Sequence, residues 1–348
     1  MLVWCTGISG SGRTDYLLEA AEAVRASGKT AEVIDIGKLL DTVPPNLRVG
    51  TNGTELLDGN EDVLRLHRAY ALHALEVQIA NSNSDVIFVS THAVFMRKGR
   101  LIAALDMNFI RQHLAEKIDA FATVIHDTHV AWTELQARPE WRDHLGLEEV
   151  ALWRDFEIVT TKMLAEYHDK PFYLLARRDP ASGLAGLVAV PPKPSLYLSY
   201  PITAILQTQP ELLDQANGLA DKLRDAGFVV FNPLSIKDVP GTRAALEGAD
   251  SEITGEMEEE ARPYIEAQTI SRDLQLIDQA DMVVVYYPTD RVSPGVFTEM
   301  SHARDRRKPV HLCAFPGRIS PFLGLFHQHA YASIEEMIPA LQAQYGAA

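Results

Sequence analysis

Residues 1–14 read MLVWCTGISGSGRT, and this stretch decides how the first half of the chain is expected to fold. The apolar run Leu2–Thr6 has the composition of a buried strand. It leads directly into a glycine-rich loop, Gly7-Ile8-Ser9-Gly10-Ser11-Gly12-Arg13-Thr14, and then into a segment with helical periodicity. A strand, a loop and a helix in this order predict one unit of a parallel α/β sheet.

The glycine-rich loop has the spacing of a phosphate-binding loop and predicts nucleotide binding. Glycines allow successive backbone N–H groups to converge on phosphate oxygens, and the following helix N-terminus favours negative charge. Thr14 is placed to hold Mg²⁺, so ATP or another nucleotide with Mg²⁺ is the expected ligand. The alternative is a plain turn of small residues. The loop residues predicted to bind the nucleotide are Gly7, Gly10, Ser11, Gly12, Arg13 and Thr14.

Apolar runs alternate with helical stretches along the whole chain, which is typical of α/β domains with mostly parallel sheets. In the first half we expect strands at residues 2–6, 32–36, 85–90, 122–126 and 172–175, and helices at 17–26 and 64–80. In the second half we expect strands at 196–199, 229–232, 282–287 and 310–313, and helices at 210–226, 267–279 and 296–306. Residues 177–194 are rich in turn-forming residues and predict a linker. The predicted domains are therefore residues 1–176 and 195–348.

Composition and charge indicate a two-domain globular protein and argue against several functional classes. With 348 residues, 47% of them hydrophobic, the chain is long enough for two domains with their own cores. The formal net charge of −15 argues against binding of duplex nucleic acid, which requires a basic surface. The start of the chain lacks the features of a signal peptide, and no apolar run approaches the roughly 18 residues of a membrane span, so a cytoplasmic protein is expected. Cys5 and Cys313 lie in separate apolar runs and are expected to be reduced core thiols.

Two further features are given no catalytic role. Residues 247–260 are rich in Asp and Glu, which favours a solvated loop or helix face, with a lid over a pocket as the alternative.

The histidine pairs 126/129 and 327/329 lack nearby cysteines or a glutamate at the spacing of zinc proteases, so no metal site is predicted for them.

In the second half, Asp273 lies where a simple core would not place a carboxylate. The helix at 267–279 is expected to bury a stripe of Ile270, Leu274 and Ile277, with Asp273 at its edge. A carboxylate beside a buried face needs a partner or a cleft.

Glu299 is the second unusual carboxylate. The segment from Ser293 predicts a helix that begins at Pro294-Gly295 and turns Glu299 inward, on the same face as Val296, Met300 and Ala303. Because Glu299 lies near the helix N-terminus, it is expected to be ionised, as a nucleophilic carboxylate requires. The amides of Ser293 and Gly295 are expected to receive an anionic group of the substrate.

Residues 1–176 resemble P-loop nucleoside-monophosphate kinases, especially the archaeal-type adenylate kinase group. The likeness rests on the glycine-rich loop, on residues 86–93, which look like that group's strand ending in Asp-Thr-His, and on residues 137–142 with Arg154, which resemble its arginine-bearing lid. It implies that Arg138 and Arg142 contact the nucleotide. Two positions depart from the family, because Arg13 replaces the loop lysine and Ser90 replaces the acidic residue that organises the metal. These departures favour binding over phosphoryl transfer.

Residues from Ser195 to the C-terminus resemble nucleoside 2-deoxyribosyltransferases and the related nucleoside 5′-monophosphate N-glycosidases. Four segments occur in family order: residues 196–201, 227–233, 272–281, and Ser293-x-Gly295-x-x-x-Glu299 with Ala303. The resemblance implies a Rossmann-like (flavodoxin-like) sheet and a retaining mechanism in which Glu299 attacks the sugar. It gives Asp273 the role of proton donor to the base and Tyr197 that of orienting Glu299. Ser293, Gly295 and Ser199 are the implied substrate-binding residues.

The resemblance also implies that neighbouring subunits complete the pocket, so a homo-oligomer, most simply a dimer, is expected. The apolar stretch at residues 321–326 is the candidate interface, unless it covers its own sheet.

The leading hypothesis is therefore an enzyme that acts on nucleosides or nucleotides, without a cofactor for the glycosidic step, fused to a nucleotide-binding domain. One alternative is a nucleoside-monophosphate kinase whose second half only binds nucleotides, and another is a nucleotide sensor without turnover. At the level of single residues, the alternatives are a helix-capping Glu299, an Asp273 in a structural ion pair and a Tyr197 packed in the core.

Overall fold

The computed structural model describes residues 1–40, 43–48, 53–142, 144–238, 255–314 and 321–346. The chain divides into two compact units. The first comprises Met1–Ala185 and Asp238–Gln268, and the second comprises Gly186–Lys237 and Thr269–Ala348. Each unit contains a five-stranded sheet accompanied by helices, so the predicted class of two α/β domains is confirmed.

The first unit consists of the following elements: β1 (Leu2–Thr6), α1 (Arg13–Ala26), β2 (Ala31–Asp35), α2 (Ile36–Leu39), α3 (Gly53–Asp58), α4 (Glu61–Asn81), β3 (Val86–Ser90), β4 (Val94–Arg97), β5 (Arg100–Ala103), α5 (Met107–Phe109), a π-helical turn (Ile110–Leu114), β6 (Ile118–Ile125), α6 (Thr128–Gln136), α7 (Leu147–Tyr167) and β7 (Phe172–Ala176). Five of the strands form a sheet of order β2-β3-β1-β6-β7, in which all paired strands are parallel. The strands β4 and β5 form a short antiparallel hairpin, which is a separate two-stranded sheet. The helix α8 (Ser182–Leu187) follows within the predicted linker.

The second unit is built around a parallel sheet of order β12-β11-β10-β8-β9. Its elements are β8 (Ser195–Ser199), α9 (Ile202–Thr208), α10 (Glu211–Asp225), β9 (Val229–Phe231), a 3₁₀ turn (Pro233–Ser235), α11 (Gly255–Gln279, of which residues from Thr269 belong to this unit), β10 (Met282–Tyr287), α12 (Pro294–Asp305), β11 (Val310–Ala314), a 3₁₀ turn (Pro321–Leu325), β12 (His329–Tyr331) and α13 (Ile334–Tyr345). The chain leaves β8 towards β9 on one side and reaches β10 on the other. In open parallel sheets, ligands bind at the carboxyl ends of strands where the order reverses in this way.

The inner strands of the two five-stranded sheets are buried along most of their length, which explains why their sequences are continuous apolar runs. Every residue of β1, β3, β8 and β10 is buried. The strand expected at residues 122–126 begins earlier, at Ile118. The predicted core thiols are confirmed, since Cys5 and Cys313 are both buried and free. Among the described residues, no helix is long and apolar enough to cross a membrane.

The acidic segment at residues 247–260 is only partly described. Residues 247–254 lie outside the described residues, and residues 255–260 form the first turns of α11.

A buried polar cluster explains why Asp238–Gln268 belongs to the first unit, although the sequence places it in the second domain. Asp238 accepts a hydrogen bond from the Thr128 backbone N–H (2.7 Å) and forms an ion pair with Arg154. Arg154 also donates to Gln268 Oε1 (2.8 Å), and Gln268 donates to the Ala151 carbonyl (2.8 Å). Both members of the ion pair are almost fully buried, so each needs the other. Arg154, which we expected in an arginine-bearing lid, is therefore a structural residue.

Replacing Asp238 with alanine is expected to destabilise the first unit by about 3–5 kcal/mol, because the buried Arg154 guanidinium loses its counter-charge. Urea unfolding followed by circular dichroism measures this change. The control is Asp62→Ala, which removes an ion pair whose carboxylate side chain is 82% exposed and should cost less than about 1 kcal/mol. Equal stability of the two variants would contradict the account of this cluster.

Candidate active site

Glu299 is positioned by the first turns of α12. Ser293 Oγ accepts a hydrogen bond from the Val296 N–H (3.4 Å), and Pro294 occupies the first helical position, so the helix begins where the sequence predicts. The predicted inward face is confirmed, since the buried residues of the helix are Val296, Met300 and Ala303.

The two oxygens of the Glu299 carboxyl group are both held by hydroxyl groups of β8. Tyr197 Oη donates to Oε1 (2.9 Å) and Ser199 Oγ donates to Oε2 (2.5 Å). Tyr197 and Ser199 are two positions apart on one strand, so their side chains lie on the same face of the sheet. Tyr197 and Ser199 are themselves fully buried. The carboxyl group is thus fixed at the carboxyl end of β8, where a ligand is expected in this type of sheet.

Asp273 is the second carboxylate of the site. Its Oδ1 accepts hydrogen bonds from the preceding Arg272 side chain, with Nε and Nη2 each at 2.9 Å. Asp273 lies close enough to Glu299 and Tyr197 for its charge to raise the pKa of both. The structure therefore brings together the three residues that we predicted to be catalytic. Arg272, which is also buried, was not predicted as part of the site.

The charge state of Glu299 differs from our expectation. Burial, reinforced by the charge of Asp273, raises the pKa of Glu299 to about 8. The hydrogen bonds from Ser199 and Tyr197 act in the opposite direction but do not compensate. The loss of solvation thus outweighs the favourable helix N-terminus, and Glu299 is mostly protonated at neutral pH in the free protein. Burial also raises the pKa of Asp273, against the opposing effect of Arg272.

The predicted buried stripe of α11 is wrong in part. Ile270 is 64% exposed, whereas Arg272, Gln275, Leu276 and Ile277 are buried. The inward face of this helix carries long polar side chains, so a pattern based on apolar residues alone assigns the wrong face.

The predicted substrate-binding residues lie around the start of α12 and at the end of β8. The Ser293 N–H donates to Tyr287 Oη (3.0 Å), and Tyr287 Oη donates to the Arg291 carbonyl (2.6 Å). The Ser293 amide is therefore occupied within its own loop and not open to a ligand as predicted. Gly295 is exposed, and a Cβ atom there would meet nothing closer than 3.9 Å. Gly295 thus leaves open space at the helix start.

The neighbouring strand end carries polar residues that the sequence reasoning missed. Tyr200 Oη donates to Asn232 Oδ1 (2.7 Å), and the same oxygen accepts the Leu234 N–H (3.1 Å). Both Tyr200 and Asn232 are buried and follow the ends of β8 and β9. Polar residues directly after buried strands were the available signal.

The glycine-rich loop of the first unit leaves no room for a side chain at Gly7, Gly10 or Gly12, and at Gly7 a Cβ atom would lie 2.6 Å from the Val124 carbonyl oxygen. Gly10 has φ +83° and a Cβ atom there would lie 2.7 Å from the Ala131 carbonyl oxygen. Gly12 has φ +68° and a Cβ atom there would lie 2.9 Å from Arg177 Nε. Between them, Ser11 is 1% exposed, and its hydroxyl has no hydrogen-bond partner within the described part of the chain. A buried hydroxyl without a hydrogen-bond partner is energetically costly.

Arg13 is tied to the loop itself. Its Nε donates to Ser90 Oγ (2.9 Å) and its Nη1 donates to the Gly7 carbonyl. The same Nη1 lies 3.4 Å from His92 Nδ1. The guanidinium group therefore links the loop to the end of β3.

Glu157, on α7, holds the start of the loop, and the sequence reasoning missed it. Its Oε1 accepts the N–H groups of Gly7 (2.9 Å) and Ala93 (2.8 Å), and its Oε2 accepts that of Val94 (2.8 Å). Glu157 is fully buried, and burial raises its pKa to about 7. A glutamate inside an otherwise amphipathic helix gives no local sign of this role.

A cleft of about 490 Å³ adjoins the loop. Of the two exposed arginines predicted to contact the nucleotide, Arg138 lines this cleft, whereas Arg142 does not and donates to the Gln136 carbonyl (3.2 Å). Arg177 and Arg178, which directly follow β7, also line the cleft and were missed. They pair with Glu19 (2.7 Å) and Asp127 (2.6 Å) respectively. The full lining consists of Gly10, Gly12, Asp15, His126, Val130, Glu134, Arg138, Arg177 and Arg178.

No protein-family model matches the chain, and no curated protein sequence matches it. Among solved structures, a 2-deoxyribosyltransferase from the psychrotolerant bacterium Bacillus psychrosaccharolyticus is 19% identical, with 41% of this chain and 90% of that chain covered and a TM-score of 0.29. A conserved protein from Enterococcus faecalis V583 is 13% identical, with 43% and 98% covered and a TM-score of 0.28. At these TM-scores the likeness carries no functional weight.

Glu299→Gln is expected to raise the melting temperature of the second unit at pH 9 and to leave it nearly unchanged at pH 5. Folding raises the pKa of Glu299 from 4.5 to about 8. The free energy of unfolding of the wild type therefore decreases as the pH rises from about 4.5 to about 8. Glutamine does not ionise and escapes this loss. The shift should amount to about 2–4 °C for each kcal/mol regained.

Thermal unfolding at pH 5, 7 and 9 measures the effect, with Glu335→Gln as an exposed control on the same unit. A Glu299→Gln effect that is independent of pH would show that Glu299 is ionised throughout.

Proposed function

We propose that the second unit cleaves or transfers the N-glycosidic bond of a nucleoside or nucleoside 5′-monophosphate, with Glu299 as the nucleophile. The observation that supports this most is the partly buried Glu299 carboxyl group, which receives hydrogen bonds from Tyr197 (2.9 Å) and Ser199 (2.5 Å) beside a second partly buried carboxylate. Two carboxyl groups with separate roles are what retaining cleavage of a glycosidic bond requires. The order and spacing of the motifs in residues 195–348 support the same chemistry.

In the proposed reaction, a Glu299 oxygen attacks C1′ of the sugar as the bond from C1′ to the base nitrogen breaks. Attack needs the ionised form, so the proton that Glu299 holds in the free protein has to leave before this step. Asp273, the neighbouring partly buried carboxylate, is the proposed acceptor. It then donates this proton to the leaving base. Water or a second base then attacks C1′ of the glycosyl-enzyme, the bond from C1′ to Glu299 breaks, and the ionised Asp273 takes up the proton that the attacking group loses.

Tyr197 and Ser199 are proposed to orient the nucleophile. Each donates to a different oxygen of Glu299, so together they fix the plane of the carboxyl group. Their hydrogen bonds also favour its ionised form. Arg272 is proposed to limit the cost of partly burying Asp273, because its guanidinium group lies 2.9 Å from the carboxylate.

For the first unit we propose binding of a nucleotide, ATP or another, with Mg²⁺, at the glycine-rich loop. Support comes from the unpartnered hydroxyl of Ser11 and from Arg138, Arg177 and Arg178 in the adjoining cleft. Thr14 is the proposed hydroxyl ligand of the metal, and the ion would neutralise phosphate charge. Arg13 is tied to Gly7 and Ser90, which favours binding over phosphoryl transfer. A nucleoside-monophosphate kinase and a nucleotide sensor without turnover remain the alternatives.

Glu299→Ala is expected to lower base release by about 10⁴-fold or more while the protein stays folded, because it removes the nucleophile. Asp273→Asn should lower it by about 10²–10⁴-fold through loss of the acid. The assay incubates each protein with a panel of nucleosides and 5′-monophosphates, with and without ATP, and measures free base by chromatography.

Glu335→Ala, at an exposed position of the same unit, is the activity control. A folded Glu299→Ala protein that keeps most of the wild-type rate would refute the nucleophile assignment. Release of ADP without free base would favour the kinase alternative.

ATP with Mg²⁺ is expected to raise the melting temperature of the protein by mass action, about 2.7 kcal/mol of stabilisation at 100 times Kd. Gly12→Val should abolish the shift, because the side chain would meet Arg177 at a backbone conformation that valine avoids. Gly28→Val is the matched control, since Gly28 also has a positive φ (+84°) but open space around it. Absence of any wild-type shift at millimolar nucleotide would mean that the loop is only a turn.

We propose a homodimer formed through the second unit. Within the stretch at residues 321–326, Phe322 is 64% and Leu325 is 61% exposed, and Phe326 contacts the partly exposed Phe297. Such an apolar patch on the surface favours burial against a second copy. Light scattering is expected to give the mass of two chains for the wild type and of one chain for Phe322→Asp. A fully active wild-type species with the mass of one chain would refute the dimer.

A further inference from the structure

The strand β2 ends in a carboxylate that the sequence analysis did not single out. In the parallel register of the first sheet, Asp35 of β2 lies opposite Ser90 of β3, and Ser90 lies opposite Cys5 of β1. The ends of these three strands form one edge, next to the glycine-rich loop that follows β1. Asp35 is therefore one strand away from Ser90, the position at which the sequence lacks an acidic residue.

Three oxygen atoms meet at this edge. Thr14 Oγ1 donates to Asp35 Oδ2 at 3.2 Å and shares a hydrogen bond of 3.0 Å with Ser90 Oγ. Mg²⁺ binds oxygen at 2.0–2.1 Å in octahedral geometry, so adjacent ligand oxygens are about 3 Å apart. The Thr14 hydroxyl and the Asp35 carboxylate thus have the chemistry and the spacing of two adjacent ligands of this ion.

Helix capping by Asp35 uses only one of its two carboxylate oxygens. Its Oδ1 accepts the Gly37 N–H (2.9 Å) at the start of α2, a helix of only four residues. The other oxygen, Oδ2, faces Thr14. Capping fixes the carboxylate in place, and one oxygen is directed at the hydroxyl of the loop.

The position of Arg13 explains why the acid would lie at 35 and not at 90. Arg13 Nε is 2.9 Å from Ser90 Oγ, so a carboxylate at position 90 would form an ion pair with the guanidinium. Such a pair would compete with a metal for the same oxygens. Independently, the buried and unpartnered hydroxyl of Ser11 indicates that the loop receives a ligand.

From these observations we propose that Asp35, together with Thr14, holds the Mg²⁺ that accompanies a nucleotide in the first unit. This rests on the proposed binding of nucleotide by the glycine-rich loop. In this proposal Asp35 organises the metal in place of the acidic residue that is missing at position 90. The arginine at position 13 and the serine at position 90 are then linked, because an acidic residue at position 90 would pair with Arg13 instead of the metal.

The test compares ATP affinity in Mg²⁺ and in EDTA by isothermal titration calorimetry, for the wild type and for Asp35→Asn. Asparagine keeps the cap to Gly37 but loses the charge. We expect Mg²⁺ to tighten wild-type binding by about tenfold and to have almost no effect in Asp35→Asn, whose affinity in EDTA stays equal to that of the wild type. Electron paramagnetic resonance should likewise show that Mn²⁺ with ADP binds the wild type and not the variant.

Asp85→Asn is the control, since it removes the same charge at the opposite end of β3 and should retain the Mg²⁺ effect. A full Mg²⁺ effect in Asp35→Asn would overturn the assignment of Asp35 while leaving nucleotide binding intact. Equal loss of affinity in EDTA and in Mg²⁺ would assign Asp35 a structural part and also overturn it. Absence of ATP binding to the wild type in both conditions would instead refute nucleotide binding itself.

Discussion

A carboxyl group that is partly buried at the end of a parallel strand needs hydrogen-bond donors, and in the second unit this constraint determines the site. Tyr197 and Ser199 reach the two oxygens of Glu299 because they are two positions apart on β8, so that their side chains lie on the same face of the sheet near the end of the strand. The helix start at Ser293 sets where Glu299 enters. Burial then gives the group a pKa of about 8, in place of the ionised state that its helix position alone would favour.

The same type of constraint acts in the first unit. Glu157 is fully buried and accepts three backbone N–H groups, one from the glycine-rich loop and two from the segment after β3. Arg13 connects the same two regions from the other side through Gly7 and Ser90. The loop is thus held by charged groups within the protein, while the Ser11 hydroxyl inside it stays unpartnered in the described residues. A rigid loop that lacks one partner suits the binding of an anion.

Much of this could be predicted from the sequence. Continuous apolar runs located the five strands of the first sheet and four of the second, and the Pro-Gly start located the helix of Glu299, because these signals are local. The short edge strand β12 was missed because it carries no buried apolar run. The burial of Arg272 and Gln275 could not be predicted, since polar side chains on an inward face are stabilised by tertiary contacts that periodicity does not register. The contributions of Glu157 and Asp35 were missed for a similar reason, as their partners lie far away in sequence. The return of residues 238–268 to the first unit depends on the pairing of Arg154 with Asp238, which is equally non-local.

The central claim is that Glu299 attacks the sugar and forms a covalent intermediate. The configuration at C1′ of the product tests this most directly, because a retaining reaction inverts that carbon twice. With a nucleoside or nucleotide that releases its base, and with methanol as the acceptor, nuclear magnetic resonance of the methyl glycoside reports its anomeric configuration. The account predicts the same configuration as in the substrate. Formation of the opposite anomer would contradict it, as would the absence of base release from every nucleoside and nucleotide tested.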